Sequence, residues 1–373
     1  MSPRRRERQP RRMPDVSVVV PTFSEAENVE ELHTRLARSL EGEDWELIIV
    51  DDDSPDGTAE IARRLAQKDR RVRCIQRIGR RGLSSAVVEG ALSSSAPLIA
   101  VMDGDLQHDE SVLPALLHKM RAHGLDLAIG SRYTAGGGTG QWTGSRKWMS
   151  RFATRLARGL APQDLTDPMS GFFVVQSSLL RESARRLSGY GYKILLDLIA
   201  SAGRPIKHVE VPYVFRERSR GESKLDSLVM WEYLMLLADK RFGRLVSPRL
   251  ISFGLVGGSG VAVHFAVLSA LYLGLAVRFP IAQAAAALGA MTSNFFLNNL
   301  LTYRDRRLHG LGLLRGLLSF YVVCSLGALA NIGIASYAFA ERTQWAVSAA
   351  AGIVVGTLWN YLATARFTWA SRD

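Results

Sequence analysis

The C-terminal third of this 373-residue chain contains four long segments without a charged side chain. No Asp, Glu, Lys or Arg occurs in residues 250–277, 279–303, 316–340 or 343–365, which are 28, 25, 25 and 23 residues long. A helix needs about 20 apolar residues to cross the hydrocarbon of a bilayer. Short charged loops separate the segments, which favours membrane spans over the buried core of a soluble protein. We therefore predict an all-α transmembrane domain of four helices over residues 250–373.

The basic residues that flank these segments are unevenly distributed. Only Arg278 and Arg342 lie on one side of the predicted spans. Ten lie on the other side: Lys240, Arg241, Arg244, Arg249, Arg304, Arg306, Arg307, Arg315, Arg366 and Arg372. Because basic loops stay in the cytoplasm, we expect an integral protein of the plasma (inner) membrane whose first 249 residues are cytoplasmic.

The four predicted helices form a repeated pair. Ser252-Phe253 recurs 67 residues later as Ser319-Phe320, and Thr302-Tyr303 recurs 66 residues later as Thr368-Trp369. Two hairpins with the same direction through the membrane are implied, which is a parallel repeat and not the inverted repeat of many transporters.

Small and polar residues inside these segments predict helix contacts. Gly254 and Gly258 form a small-xxx-small pair, which is typical of close helix packing. Asn294, Asn298 and Asn299 could hold a lipid head group, but hydrogen bonds between helices are the better explanation. The segment Asn294-Phe-Phe-Leu-Asn-Asn-Leu-Leu-Thr-Tyr-Arg304 resembles the GtrA-like membrane domain, which occurs in proteins associated with polyprenyl-linked sugars.

Charge and cysteine content limit the chemistry of the rest of the chain. The formal net charge is +12, and the only cysteines, Cys74 and Cys324, are too far apart in sequence for a C-x-x-C motif. A disulfide framework and a cysteine zinc site are therefore excluded. Six arginines occur in the first twelve residues, so residues 1–14 are predicted to be a disordered basic tail. The predicted spans supply anionic lipid as its partner, and we expect no nucleic acid.

Apolar strands alternate with helices in the N-terminal part. Strands are predicted at Val16–Val20, Glu46–Val50, Val72–Gln76, Leu98–Met102 and Leu127–Gly130. Helices are predicted between them, so this part is an α/β sheet domain. Ligands bind such sheets at the carboxyl ends of the strands.

Polar clusters follow three of these strands. They are Pro21-Thr-Phe-Ser-Glu25, Asp51-Asp-Asp-Ser-Pro-Asp56 and Asp103-Gly-Asp105-Leu-Gln107. Neither a G-x-G-x-x-G turn after the first strand nor a G-x-x-x-x-G-K-[ST] loop is present, which argues against dinucleotide redox chemistry and P-loop hydrolysis. Carboxylates at a strand end suit Mg²⁺ or Mn²⁺, which can neutralise a diphosphate leaving group.

Eight motifs, in order, cover nearly all of residues 15–224. Through them the domain resembles the family 2 glycosyltransferases of the GT-A (Rossmann-like) fold, and among these the dolichol-phosphate mannose synthases. The motifs are Pro21-Thr-Phe-Ser-Glu25, Val50-Asp-Asp-Asp-Ser-Pro-Asp-Gly57, Gly82-Leu-Ser-Ser-Ala86, Met102-Asp-Gly-Asp-Leu-Gln-His108, Gly130-Ser-Arg-Tyr133, Asp167-Pro-Met-Ser-Gly-Phe-Phe173, Val211-Pro-Tyr213 and Arg220-Gly-Glu-Ser-Lys-Leu225.

The resemblance implies three kinds of site residue. Nucleotide binding falls to Pro21, Phe23, Glu25, Val50, Asp51, Asp52, Asp103 and Gly104. Metal binding falls to Asp103, Asp105 and Gln107. The acceptor phosphate is assigned to Arg132, Arg146, Ser150 and Arg220, and catalysis to Asp103, Asp105, Arg132, Arg146, Lys193 and Arg218. Two residues depart from the family pattern, because Gly104 replaces an alanine and Phe23 a tyrosine.

The implied reaction is the inverting transfer of mannose from GDP-mannose to dolichyl or polyprenyl phosphate. A phosphate monoester is already an anionic nucleophile, so no catalytic histidine is required. The alternatives are the same reaction with UDP-glucose, and a lipid-linked-sugar flippase whose soluble domain loads the lipid. The absence of charged residues from the four spans argues against the flippase.

Residues 225–249 connect the two predicted domains. Leu228–Ala238 is apolar except for Glu232, and eleven residues are too few to span a bilayer. An interfacial helix, with Trp231 and Tyr233 at the level of the lipid head groups, is one explanation. A helix packed on the soluble domain is equally compatible with the pattern.

Overall fold

The fold is taken from a computed structural model, which describes residues 13–140, 144–157, 159–188, 191–216, 227–243, 246–340 and 345–370. The chain forms two compact units, with the boundary between Lys240 and Arg241.

The described part of the first unit contains seven strands and eight helices. The strands are β1 (Val16–Thr22), β2 (Trp45–Asp51), β3 (Val72–Gln76), β4 (Leu98–Val101), β5 (Leu127–Ser131), β6 (Phe173–Gln176) and β7 (His208–Pro212). The helices are α1 (Val29–Ser39), α2 (Thr58–Lys68), α3 (Leu83–Leu92), α4 (Leu113–His123), α5 (Gly144–Ala157), α6 (Ser177–Ala184), α7 (Ile194–Ser201) and α8 (Ser227–Phe242).

The strands form one mixed sheet in the order β3-β2-β1-β4-β6-β5-β7. Strand β6 is antiparallel to β4 and β5, and all other pairs are parallel. The five predicted strands are confirmed, and β6 and β7 are additional. The sheet confirms the predicted α/β fold class.

Both faces of the sheet are buried, which explains why its strands are continuous apolar runs. Val18 and Val20 of β1 pack in one core with Leu36 of α1. Val19, which points to the opposite face, packs in a second core with Val87 of α3. Helices thus cover both faces of the sheet, and ligands bind such sheets at the carboxyl ends of the strands.

Helix α8 packs on the first unit. Its Tyr233 is 4% exposed and donates a hydrogen bond to the carbonyl of Ala153 in α5, at 2.5 Å. Near its end, Lys240 Nζ lies 2.6 Å from Asp197 Oδ1 of α7. Tyr233 is therefore not at a lipid-facing position, and the packed-helix explanation is the one that fits.

The second unit consists of helices that cover the four uncharged segments. They are α9 (Pro248–Ser269), α10 (Phe279–Leu297), α11 (Leu311–Ala340) and α12 (Trp345–Ala363), and π-helical turns follow α9, α10 and α12. Within the described residues, Pro248–Gly274 and Leu311–Leu329 are long and apolar enough to cross a membrane, with mean hydropathies of 1.8 and 1.6.

One glycine–asparagine contact occurs in each hairpin. The Asn294 carboxamide lies on Gly260 of the neighbouring helix, 2.5 Å from where a β-carbon would be, and Asn360 lies on Gly327 in the same way. By contrast, a β-carbon at Gly254 or Gly258 would meet nothing within 4 Å. The prediction that Gly254 and Gly258 mediate close packing is therefore wrong.

Asn298 and Asn299 use their side chains within the protein. Asn298 Oδ1 accepts a hydrogen bond from Thr302, and Asn299 Oδ1 accepts from the indole of Trp369 and the backbone of Leu308. Both asparagines are buried. These contacts support the structural explanation of the cluster over a lipid head-group site.

Candidate active site

The predicted site segments meet at one edge of the sheet. Parallel strands β1, β2, β4 and β5 end at this edge, and the antiparallel strand β6 begins there. The turn Asp167–Phe172, which precedes β6, therefore lies beside the ends of β4 and β5. Strand β7, parallel to β5, brings Tyr213–Arg216 to the same edge.

The loop after β4 carries the predicted metal ligands. Asp105 is buried, and its Oδ1 accepts a hydrogen bond from the backbone N–H of Gln107. Leu106 between them has φ of 63°, a left-handed conformation that is uncommon for such a residue. The Gln107 amide nitrogen donates to the carbonyl of Arg216, and the Arg216 N–H donates to the carbonyl of Gln107. These bonds fix a tight turn that presents two carboxylates and an amide.

Asp103 lies between negative and positive groups. Desolvation by the surrounding protein raises the pKa of its carboxyl, and the charge of Asp105 adds to this effect. His108, followed by the positive charges of Lys193 and Arg132, opposes this rise in pKa and favours the carboxylate. The charges of three other predicted site residues, Asp105, Arg132 and Lys193, thus act on the Asp103 carboxyl. A bound cation would further stabilise the ionised form.

Mg²⁺ and Mn²⁺ are bound in proteins mainly by oxygen donors. Among the described residues, no group of three or more His, Cys, Asp or Glu side chains could hold a metal ion alone. Asp103, Asp105 and Gln107 nevertheless offer oxygen donors on a single loop. Mg²⁺ typically takes one or two carboxylates and completes its shell with water and substrate phosphate. The residues fit a metal that is shared with a diphosphate.

Arg132 is held by an acidic partner that the sequence analysis did not assign. Its Nε and Nη2 donate to the two oxygens of Asp167 at 2.8 and 2.7 Å, and both side chains are buried. Although burial lowers the pKa of Arg132, the hydrogen bonds and charge of Asp167 outweigh it and raise that pKa. The guanidinium therefore stays charged and fixed in orientation.

The structure describes only some of the other residues that were predicted to bind the acceptor phosphate or to act in catalysis. Ser150 lies on α5, with its hydroxyl 2.8 Å from that of Tyr133. Arg218 and Arg220 lie outside the described residues, and so does the side chain of Arg146. Lys193 immediately precedes α7.

The nucleotide-binding predictions fall at the ends of β1 and β2. The Arg81 guanidinium lies over the Phe23 ring, 4.2 Å from its centroid. Glu25 accepts a hydrogen bond from Asn28, and Gly104 lies close to both Thr22 and Glu25. Through Gly104, the segment that follows β1 thus lies against the loop Asp103–His108 (the metal loop, after its predicted ligands).

Some predicted nucleotide contacts do not hold for the side chains. Pro21 and Val50 are neighbours in the register of β1 and β2, and both side chains are buried. Asp51 is also fully buried, and its carboxylate accepts hydrogen bonds from the hydroxyls of Thr22 and Ser54. Because these side chains fill the core or fix the turn, a ligand could reach only their backbone.

Asp52 has a partner that the sequence analysis missed. Its two oxygens accept from buried Arg77, at 2.7 Å, and from the backbone N–H of Gly82. Burial raises the pKa of Asp52, while Gly82 and Arg77 act in the opposite direction. Asp52 thus ties the loop after β3 to the nucleotide side of the site.

The chain is similar to known proteins over most of its length. Two families match in order, glycosyl transferase family 2 over residues 17–183 and the GtrA/DPMS transmembrane domain over residues 252–369. A dolichol-phosphate mannosyltransferase of Pyrococcus furiosus is 36% identical, over 95% of this chain and 99% of that protein. Its counterpart in Saccharomyces cerevisiae is 37% identical over 64% of this chain and 91% of that protein.

Among solved structures, a glucosyl-3-phosphoglycerate synthase from Mycobacterium tuberculosis, in complex with Mn²⁺, UDP-glucose and phosphoglyceric acid, is similar over 61% of this chain and 79% of its own. The identity is 18% and the TM-score 0.46. The sequence matches show that the chain is a membrane protein and an enzyme. It belongs to the dolichol-phosphate mannosyltransferases and combines a family 2 glycosyltransferase domain with a C-terminal GtrA/DPMS transmembrane domain.

Proposed function

We propose that the enzyme transfers mannose from GDP-mannose to dolichyl or another polyprenyl phosphate at the cytoplasmic face of the plasma membrane. The observation that carries the proposal is that carboxylates and cations occur together at the carboxyl ends of the strands, where the charges of Arg132 and Lys193 favour the ionised form of Asp103. The names of the relatives favour mannose over glucose.

The acceptor phosphate is the nucleophile in this proposal. One of its oxygens attacks the anomeric carbon of the sugar, and the bond from that carbon to the donor diphosphate breaks. The diphosphate departs with the electron pair of this bond. Two anionic groups must approach each other, so preorganised cations such as Arg132 and Lys193 reduce their repulsion. The phosphate monoester needs no general base, because it is already ionised near neutral pH.

Asp103, Asp105 and Gln107 would hold the divalent cation, Mg²⁺ or Mn²⁺. When bound, the cation neutralises charge on the leaving diphosphate. Asp105 and the Gln107 backbone keep the loop in place, while Asp103 is the carboxylate beside the cationic residues. The nucleotide lies toward Phe23, Glu25 and Asp52 in this arrangement.

Helix α5 supplies a surface suited to the lipid part of the acceptor. Trp148, Phe152 and Leu156 follow one another at four-residue spacing and are 68%, 45% and 39% exposed. The Trp148 and Phe152 rings stack 5.5 Å apart, and Arg155 beside them is exposed. An exposed apolar stripe with adjacent positive charge is typical of a helix at an anionic membrane surface. Ser150, a predicted phosphate contact, lies on this same helix.

The second unit anchors the enzyme in the bilayer in this proposal, with α9–α12 as four spans. Anchoring raises the local concentration of a lipid acceptor without requiring a catalytic residue from the spans. The positive flanks of the spans favour a cytoplasmic active site.

The test is transfer of labelled sugar in membranes that contain the enzyme. GDP-mannose should yield lipid-extractable label, and EDTA should abolish it because the diphosphate then lacks its counter-ion. If label from UDP-glucose becomes lipid-extractable instead, the donor is UDP-glucose and the transferred sugar is glucose. A loss of transfer with both donors, while a supplied lipid-linked sugar still changes leaflet, would support the flippase and contradict the proposal.

A further inference from the structure

We infer that His108 is a positioning residue that holds the Asp103 carboxylate in the orientation required by the cation and the donor diphosphate. This inference rests on the proposed function, because His108 directly follows the three proposed metal ligands Asp103, Asp105 and Gln107 and acts through one of them. His108 itself contacts neither ligand in this account, and the reaction needs no proton from it.

Both nitrogens of the His108 ring face Asp103. The backbone N–H of Asp103 donates a hydrogen bond to Nδ1 at 3.1 Å. Nε2 lies 3.6 Å from Oδ2 of the same aspartate. Because Nδ1 accepts a hydrogen bond, the ring proton of the neutral imidazole is on Nε2, toward the carboxylate. One ring thus accepts a hydrogen bond from the Asp103 backbone and places an N–H 3.6 Å from its carboxylate, longer than a hydrogen bond but close enough for electrostatic attraction.

The ring cannot turn away from Asp103 without disturbing the core. His108 is 2% exposed and stacks on Phe172, with centroids 5.3 Å apart. The edges of Tyr213 and Phe215 meet it at 5.9 and 5.7 Å. These three aromatic residues come from the segments that precede β6 and follow β7. The position of His108 is therefore set by elements far from the metal loop in sequence.

Gly171 makes room for this arrangement. A β-carbon at Gly171 would lie 3.1 Å from Asp103 Oδ2 and 3.2 Å from His108 Cε1. Such distances are tighter than ordinary contacts, so a larger residue would push the carboxylate or the ring aside. The backbone of Gly171 thus closes a slot in which Asp103 and His108 lie together.

This role predicts an effect on metal affinity. Replacing a residue that holds a metal-binding side chain in position typically lowers metal affinity or activity by about 10- to 100-fold. The effect arises because a freely rotating carboxylate must lose conformational entropy on binding the cation. An aromatic residue that only filled space could be replaced by another without such an effect.

Three variants separate positioning from packing. His108→Phe keeps an aromatic ring but loses both nitrogens. His108→Asn places its carboxamide oxygen near the position of Nδ1 and so keeps the acceptor for the Asp103 N–H. His108→Gln places its amide nitrogen near that of Nε2 and so keeps the donor to the carboxylate. His118→Asn, at an exposed position of α4, is the matched control.

Mn²⁺ affinity of the full-length protein in detergent, measured by electron paramagnetic resonance of free Mn²⁺, is the readout. We expect His108→Phe to raise the Mn²⁺ dissociation constant about 10- to 100-fold, and His108→Asn and His108→Gln to raise it less. Addition of GDP should tighten Mn²⁺ binding by the wild-type enzyme more than by His108→Phe.

The outcomes distinguish the inference from the proposed function. If the wild-type enzyme binds no Mn²⁺ with or without GDP, the proposed metal chemistry fails. If it binds Mn²⁺ and His108→Phe binds equally well, the positioning role is overturned. Thermal unfolding shows whether each variant is folded. If His108→Phe is not folded, unchanged Mn²⁺ affinity in both His108→Asn and His108→Gln overturns the positioning role.

Discussion

Tyr303 and Trp369 stack face to face, with ring centroids 4.2 Å apart and an angle of 7° between the ring planes. Both rings are fully buried. These two residues occupy equivalent positions in the two halves of the sequence repeat, 66 residues apart. A contact between equivalent residues places a pseudo-two-fold axis between them, so the two hairpins are related by rotation within one chain.

A second pair of contacts has the same symmetry. Phe253 meets the edge of Tyr361 at 5.8 Å, and Phe295 meets Phe320 at 5.7 Å. Phe253 and Phe320 are equivalent in the repeat, as are Phe295 and Tyr361. Each hairpin therefore presents the same surface to the other, as in a symmetric dimer. The repeat seen in the sequence is therefore also a packing arrangement in the structure.

Trp369→Ala should destabilise the second unit strongly, because it removes the ring at the centre of this interface. Large buried aromatic residues typically cost about 3–5 kcal/mol when truncated to alanine. Thermal unfolding in detergent measures the effect. Phe367→Ala, at a ring that is 67% exposed, is the control and should leave the midpoint nearly unchanged. Equal midpoints for the two variants would contradict the central role of the stack.

Gly260→Ala should also destabilise the unit, because its methyl group would overlap the Asn294 carboxamide at 2.5 Å. The Asn294 oxygen is buried without a hydrogen-bond partner among the described residues, so the glycine surface is what accommodates it. Overpacking typically costs about 1–3 kcal/mol. Gly257→Ala is the matched control, since a β-carbon there meets nothing within 4 Å. A midpoint for Gly260→Ala as high as that of Gly257→Ala would refute the contact.

The sequence predicted β1 to β5 but missed β6 and β7. Strand β6 has only four residues, and its direction depends on pairing with β4 and β5, which no local pattern encodes. Strand β7 follows two consecutive helices, α6 and α7, so it does not continue the regular alternation of strands and helices by which β1 to β5 were predicted.

The sequence predicted that Asp103 and Asp105 lie together after a strand, because one motif contains both. Partners from different motifs were not predictable. Arg132 and Asp167 are 35 residues apart and meet only because β5 and β6 are antiparallel neighbours. Burial was also missed at Asp51, since an aspartate that fixes a turn and one that binds a ligand look alike in sequence.

Asp167→Ala tests the Arg132 partnership. Removing one member of a buried ion pair leaves an uncompensated charge and typically costs about 3–5 kcal/mol. We expect a lower unfolding midpoint together with reduced transfer, because Arg132 would lose its orientation. Glu60→Ala, which breaks an exposed pair with Arg63, should change neither quantity appreciably. A stable Asp167→Ala variant with normal transfer would show that Arg132 does not depend on Asp167.

Phe23→Ala should weaken donor binding. One face of the ring is covered by Arg81, and we expect the other to support the nucleotide. Aromatic–base stacking contributes about 1–3 kcal/mol, so KM for the donor should rise roughly 5- to 150-fold with a smaller change in kcat. Arg80→Ala, whose side chain pairs with Glu89, is the control. A change in kcat alone would place Phe23 near the reacting atoms instead.

Lys193→Ala should slow transfer more than it weakens donor binding. Lys193 immediately precedes α7, and its charge favours the ionised form of Asp103. Loss of one preorganised electrostatic contact typically costs about 2–4 kcal/mol of transition-state stabilisation, which is roughly 30- to 1,000-fold in kcat/KM. Steady-state kinetics at limiting polyprenyl phosphate measures it. Lys119→Ala, at an exposed position of α4, should retain full activity, and Lys193→Arg should retain part of it because the charge is kept. Equal kcat/KM values for Lys193→Ala and Lys119→Ala would remove Lys193 from the proposed mechanism. Among the described residues, Arg132 would then be the cation proposed to reduce repulsion between the two phosphate groups.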